Sequence, residues 1–444
     1  MNRDFTRRGF LAGAMAAGAV MGLSACGGSS ASDAGSMRSG TDSSDGGAAY
    51  DGPLVALTFW NGFTGGDGAY MKSLVSEFNS EKSNINVTMQ TMQWQDFYNK
   101  LPTSVTAGKA PDIAVMHLDY VGTMAARHAI QPLDDVAKAL GLSEEDFAKA
   151  PWSAGVYHDV RYSIPLDVHP MGLFYNKRLM AKAGLDPEQP PLTLDTYMNA
   201  LDKLKSKGIK GHWASPFQFT GGMSVYSLVS QFGGSLFSED SSKAIWHEDA
   251  GIEAMNWWMK LVTKDYSPSK VSQDADFVAF QNDKCAFNWN GIWSINTLKE
   301  NKKVDWGLAK LPKIGKRNSV WANSHQFTIP SQRSVDQNKQ QAAKVFINWI
   351  SKKSLEWAKG GQIPARNSVR NSGDFKSLTS QSILATQIDG VVFPPTVPGI
   401  SDAIGEFYKA VNDIMLGGRD VSQVLRSSAD RANKILEQNM RKYQ

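Results

Sequence analysis

Cysteine is nearly absent from this 444-residue chain. The two present, Cys26 and Cys285, lie in such different contexts that a disulfide framework is excluded. An excess of one charge sign is also missing. The formal net charge is +4, and Arg3, Arg7, Arg8 and Asp4 carry +2 of it. The remainder is too close to neutral for a nucleic-acid surface or a polybasic membrane surface. There is no H-E-x-x-H, no G-x-S-x-G and no Cys/His spacing that would hold a metal. The Gly-rich loop at residues 61–68 lacks both the Lys-Ser/Thr of a phosphate loop and the G-x-G-x-x-G spacing. No cofactor and no metal are expected.

The composition is that of an ordinary globular protein, 42% hydrophobic and 20% charged, long enough that two lobes are expected rather than one core. Tryptophan is abundant, with 13 residues. The only sustained apolar run is at the start, where Arg7-Arg8-Gly9-Phe10-Leu11 leads into Ala, Gly and Met residues. Residues 1–25 read as an export signal, too short and small-residue-rich for a membrane span. Leu23-Ser24-Ala25-Cys26 resembles a bacterial lipobox, which implies a lipid on Cys26 and a chain anchored to the extracellular face of the cell membrane. The paired arginines resemble the twin-arginine type of signal. Residues 26–53, rich in Gly, Ser, Ala and Asp, cannot bury enough to order themselves and are expected to be a flexible tether.

From Leu54 the pattern alternates. Strands are expected at 54–60, 84–92 and 111–116, with helices at 69–81 and 95–107, which argues a parallel, doubly wound α/β sheet. Further on, Pro165 and Pro170 bracket an extended connection before a strand at 172–175. A helix at 195–207 is capped by Thr193, an aromatic-rich strand and loop spans 213–219 with Phe217, and a helix at 251–264 buries Met255, Trp258 and Leu261. Strands are expected at 304–312 and within 319–330, a helix at 342–350, a turn at 360–366 and two amphipathic helices at the end. Cys285 reads as an inert core thiol.

The stretch from Phe280 to Ile295 carries the site argument. Cys285 to Trp289 reads as a buried strand, Asn290-Gly291 as its break, and Ile292-Trp293-Ser294-Ile295 as the start of a helix. Trp293 then stands beside free helix amides at a strand's carboxyl end, where open α/β sheets bind ligands. Taken in order, PDIAVMHLDYVG, PLDVHPMGLFYNK, AFQNDKCAFNWNGIWSI with VDWGLAKLP, and GGQIPAR resemble the extracellular solute-binding proteins of carbohydrate ABC importers. The resemblance implies a two-lobed, type II periplasmic-binding-protein-like fold with ligand in the cleft between lobes. It places lobe 1 at 54–165 and 313–365, and lobe 2 at 166–312 and 366–444. It also implies ABC permease transmembrane subunits as partners and an oligosaccharide ligand.

Indole faces suit the polarised C–H groups of a pyranose, while its hydroxyls call for Asp and Asn. Trp60, Trp293 and Trp321 are therefore candidate platforms, and Asn61, Asp119, Asn290, His325 and Arg366 candidate hydrogen-bonders. Tyr120, Phe217 and Gly361 join the candidate lining, as do His117 and His169, which read equally well as structural histidines. Tyr120 and His169 stand where maltose-binding members carry an arginine and a carboxylate. An extracellular glycoside hydrolase remains the competing reading, which needs two carboxyl groups roughly 5 to 10 Å apart. A binding protein for a non-sugar solute is the other alternative.

Overall fold

The computed structural model describes residues 49–443. The export signal, the lipobox at Cys26 and most of the tether lie outside the described residues. Residues 49–53, expected in the tether, are tied to the globular body. Asn84 Nδ2 donates to the carbonyls of Tyr50 (2.9 Å) and Gly52 (3.2 Å), and Gln341 Nε2 donates to that of Ala49 (3.0 Å). No helix among the described residues is long and apolar enough to cross a membrane.

The chain opens with β1 (Val55–Asn61), α1 (Gly68–Glu81), β2 (Ile85–Thr91), α2 (Trp94–Thr106), β3 (Ile113–His117) and α3 (Leu118–Ala126). Each helix carries the chain back so that β1 pairs in parallel with both β2 and β3, as a βαβ crossover requires. Later come β4 (Ile164–Pro165), β5 (Asp167–Asn176), α4 (Leu194–Ser206), α5 (Met223–Gln231), α6 (Asp249–Thr263), β6 (Phe287–Gly291) and β7 (Trp306–Ala309). They are followed by β8 (Val320–Asn323), β9 (His325–Thr328), α7 (Gln337–Lys352), β10 (Ile363–Pro364), β11 (Val391–Val392), α8 (Ile400–Gly417) and α9 (Val421–Tyr443). Thr193 caps α4 by accepting from the Thr196 amide, the role its position suggests.

Two sheets result. The first has the order β2-β1-β3-β9-β4, and the second β10-β5-β8-β11, with β6 and β7 also paired to β5. β5 is buried along its whole length and is the spine of the second sheet. β6 and β7 flank its C-terminal half, while β10 and β8 pair with its first residues. Beneath the first sheet pack Phe59, Phe78, Phe346 and Trp357. Trp246, Trp258, Trp289 and Phe407 anchor the core of the second.

Among the described residues the chain passes between the sheets three times, twice at single residues and once through the long segment from β9 to β10. Leu166 separates β4 from β5, and Ser324 separates β8 from β9. The two passages are tied together, because the Leu166 amide donates to the His325 carbonyl at 2.8 Å. By sheet membership β8 belongs with the second sheet and β9 with the first.

Three local expectations are corrected. Pro170 does not close a connection but lies inside β5, opposite Ala322, a position open to proline where the ladder does not call on its missing N–H. Asn290-Gly291 does not break its strand: β6 runs through both, opposite Gly172 and Met171, because pairing with β5 overrides a weak local turn signal. Residues 213–219 form no strand. Gln218–Gly222 instead makes a π-helical turn, with Thr220 at φ 67°.

Candidate ligand-binding cleft

At the place where the sheets exchange strands, three imidazoles meet. His117 is the last residue of β3 and lies directly opposite His325, the first of β9. His169, on β5, lies opposite Asn323 on β8. Cross-strand neighbours are held close by the ladder itself, and the ring centroids are 5.1 Å apart for His117 and His325 and 4.3 Å for His169 and His325.

Behind them sits Asp167, fully buried. Its Oδ1 meets His169 Nδ1 at 3.0 Å and its Oδ2 meets His325 Nδ1 at 2.7 Å. Trp357 Nε1 (2.7 Å) and the His325 amide (3.0 Å) also donate to it. Burial alone would raise this carboxyl's pKa, but His325 and His169 outweigh it and hold the group below the usual carboxylate range. Burial lowers His169 to about 4, and burial together with the two neighbouring imidazoles drives His117 well below its ordinary value. Both rings are neutral at pH 7.

Aromatic walls rise from this floor. On the side of the first sheet, Trp94 stacks on His325 with centroids 5.6 Å apart and planes 15° from parallel. On the other side, Trp293 meets Trp321 edge-on at 6.3 Å, and Trp293 remains partly exposed. Each wall rests on a glycine, since a Cβ on Gly62 would enter the Trp94 ring and one on Gly291 would enter that of Trp293. Phe219, 51% exposed, forms part of the rim.

The open cleft has a volume of about 820 Å³, within the range of about 300–1,000 Å³ typical of small-molecule sites. Its charged lining is mostly acidic: Asp67, Asp119, Asp274, Asp276, Asp402 and Glu406 against Lys409, which is itself paired to Glu406 at 2.6 Å. Asp119 accepts from Asn323 Nδ2 (2.8 Å) and Ser401 Oγ (3.0 Å), and burial raises its carboxyl above the ordinary value.

Of the residues singled out from sequence, Asp119, Tyr120, His117, His169, Asn290, Trp293, Trp321 and His325 line this cavity. Asn290 is held by a relay in which its Nδ2 donates to Asn288 Oδ1 (3.0 Å) and Asn288 Nδ2 donates to Asp276 (3.0 Å). Trp289, by contrast, is core, stacked on Trp257 at 5.6 Å.

Five other candidates lie elsewhere. Trp60 is packed into the apolar cluster with Phe97 and Leu101, with Lys100 Nζ 4.4 Å over its ring. Asn61 turns inward, its Oδ1 accepting from Thr91 Oγ1 at 2.9 Å. Arg366 is buried over the Phe147 ring and donates to Ser351 Oγ at 3.0 Å. Gly361, at φ 113°, shapes a turn against the Ile292 carbonyl and leaves the lining to Gln362. Phe217 falls just outside, its place taken by Gln218, Phe219 and Thr220.

Trp94 is the principal residue the sequence reading passed over. It stands at the start of α2, one residue before the expected helix, and only the Gly62 loop beneath it marks the position. The three-histidine cluster was equally hidden. Sequence reasoning excluded a metal on spacing, but these imidazoles come from three separate strands, and one ligand nitrogen of each lies within 4.8 Å of the others.

Two α/β sheets that exchange strands around a ligand-sized cleft define the type II periplasmic-binding fold. Solved structures agree. One is a cyclic alpha-maltosyl-1,6-maltose binding protein from Arthrobacter globiformis, at TM-score 0.73 and 22% identity, covering 87% of this chain and all of that one. Another is the GacH receptor of Streptomyces glaucescens GLA.O, whose structures include a complex with acarbose, at TM-score 0.76 and 19% identity, covering 86% and 98%. The family model for bacterial extracellular solute-binding protein matches residues 63–354, and the chain belongs to that family. Among curated relatives, it is 24% identical over 414 residues to the sn-glycerol-3-phosphate-binding periplasmic protein UgpB of Escherichia coli K12, across 86% of this chain and 93% of that protein.

Proposed function

We propose that the chain captures an oligosaccharide and delivers it to the permease of an ABC importer, held at the extracellular face of the membrane by a lipid on Cys26. It makes and breaks no bond in its solute. The lobes divide between the two sheets and hinge where the chain crosses, at Leu166, at Ser324 and between β9 and β10.

The lining of the cleft carries the choice of solute. The curated relatives are named for a phosphate ester and the structural neighbours for sugars. Among the described residues, six acidic side chains and no arginine line the cleft, and its lysine is already paired to Glu406, whereas an organophosphate calls for arginines. Indole and phenol rings with Asp and Asn between them suit a neutral polyol whose C–H faces stack and whose hydroxyls donate to carboxylates.

Glycan screening of the purified chain, with sn-glycerol-3-phosphate as a parallel arm, tests the reading. Saccharide binding without cleavage is expected. Binding of the phosphate ester alone overturns it, and cleavage of a bound glycan replaces it with hydrolase chemistry. Trp293→Ala is expected to weaken saccharide binding by about 1–3 kcal/mol through loss of buried aromatic surface, read by calorimetry, with an unchanged melting transition.

A further inference from the structure

We propose that His117, His169 and His325 form a binding site for a divalent transition-metal ion of the zinc class at the floor of the cleft. This goes beyond capture of a solute and does not depend on which solute the cleft takes.

Three observations converge on it. One ligand nitrogen from each ring lies within 4.8 Å of the other two. A tetrahedral zinc site with Zn–N bonds of about 2.0–2.1 Å places its nitrogens roughly 3.4 Å apart. The rings therefore need to draw in by about 1.4 Å at most to share an ion, within reach of small χ adjustments.

The second observation is the outer shell. Every Nδ1 is already engaged: His169 and His325 with the two oxygens of Asp167 (3.0 and 2.7 Å), and His117 with the Tyr98 hydroxyl (2.7 Å). The two Asp167 oxygens face the Nδ1 atoms of both imidazoles, a pairing that suits the tautomer with its proton on Nδ1 and a lone pair on Nε2. The Tyr98 hydroxyl can donate to or accept from His117 Nδ1, which leaves that ring free to take the same tautomer. A carboxylate behind a histidine is the arrangement that orients a metal ligand and strengthens it as a donor.

The third is what the Nε2 atoms face. None of them is hydrogen-bonded among the described residues, and all three rings line the cleft. Three imidazoles suit Zn²⁺, Co²⁺, Ni²⁺ or Cu²⁺, and the acidic lining favours a cation. A fourth coordination position would open toward the solute, as it does where three protein ligands leave a site unfilled.

The test is titration of the purified, chelator-stripped chain with Zn²⁺ and with Co²⁺, in the absence of solute. One equivalent is expected to bind, with Co²⁺ giving the intense visible bands of tetrahedral coordination. His169→Ala, or His117→Gln where the first does not fold, is expected to abolish the bands and weaken Zn²⁺ at least roughly a hundredfold. Asp167→Asn, which acts through His169 and His325, is expected to weaken it roughly ten- to a hundredfold. His128→Asn, at an exposed histidine outside the cleft lining, should leave metal binding unchanged. Lack of saturable one-to-one binding in the unaltered chain overturns the proposal, as does Zn²⁺ affinity that survives the histidine substitutions. Because no solute is present, failure of the metal titration leaves the saccharide reading standing, and failure of the glycan screen leaves the metal site standing.

Discussion

A buried histidine away from the cleft shows how a single residue sets a pH limit. His212 is 2% exposed, its Nδ1 lies 2.7 Å from the Tyr197 hydroxyl, and the rings of Trp258 and Trp289 stand 5.1 and 5.4 Å away. Burial lowers its pKa to about 3. In the unfolded chain the ring titrates near 6.5. Above that value both states are neutral and the residue contributes no pH dependence. Below it, the unfolded chain takes up a proton that the folded one refuses, so stability falls as pH drops from about 6.5 toward 3. At pH 5 this costs about 2 kcal/mol. Denaturant midpoints for the unaltered chain and for His212→Asn, compared at pH 7 and pH 5, are expected to converge at the lower pH by about that amount. A constant difference between the two would show that His212 does not carry the dependence.

At the scale of elements, the link from β6 to the short helix at Ile292–Ser294 turns a strand end into a binding wall. Gly291 has ordinary extended angles (φ −78°, ψ 157°), so alanine meets no backbone penalty there. What it meets is the Trp293 ring lying across the Cα. Gly291→Ala is expected to displace Trp293, lowering solute affinity by about 1 kcal/mol or more while the core around Trp289 stays intact. Calorimetry with the solute and near-ultraviolet circular dichroism would read the two effects. Unchanged affinity would mean that the ring's seat on this glycine is not needed.

The same elements show what the sequence reveals and what it hides. The first three strands and the helices between them are legible within a residue or two, because alternation and helical spacing are local signals. Trp293 against Trp289 is also legible, since the strand-to-helix change reverses which side chains face inward. Trp60 is not. It is the last residue but one of β1, with its ring turned into the cluster with Phe97 and Leu101, and the indole that faces the cleft is Trp94, 34 residues later. Nor could spacing reveal His117, His169 and His325, which antiparallel pairing between distant strands brings together. Arg366 looked like a cleft residue because its turn matched, but a guanidinium packed on Phe147 serves the core.

Across the whole molecule, α3 from the first sheet meets the segment leading into α8, which packs on the second. The Gly399 amide donates to Thr123 Oγ1 at 3.0 Å, and Ser401 Oγ bridges the Asp119 carboxylate and carbonyl, both at 3.0 Å. Between these contacts Gly122 lets the helix press against the Thr396 backbone, and a Cβ there would overlap the Thr396 carbonyl. The collision is with main chain, which cannot swing aside as a side chain can, so α3 and the α8 segment must separate. The overlap itself is with backbone and not with a core side chain. Under the proposed hinge, a wedge of this kind acts on the equilibrium between open and closed arrangements, and a ligand gripped from both sides binds more weakly as the closed one is depopulated. Gly122→Ala is therefore expected to cost about 1–3 kcal/mol of solute affinity, the scale of one overpacked methyl group, while the melting temperature changes little. The radius of gyration at saturating solute, from small-angle scattering, should rise above that of the unaltered chain. If affinity and radius both stay unchanged, the contact at Gly122 does not govern closure, and the hinge at the crossings must be stiff enough to set the cleft width alone.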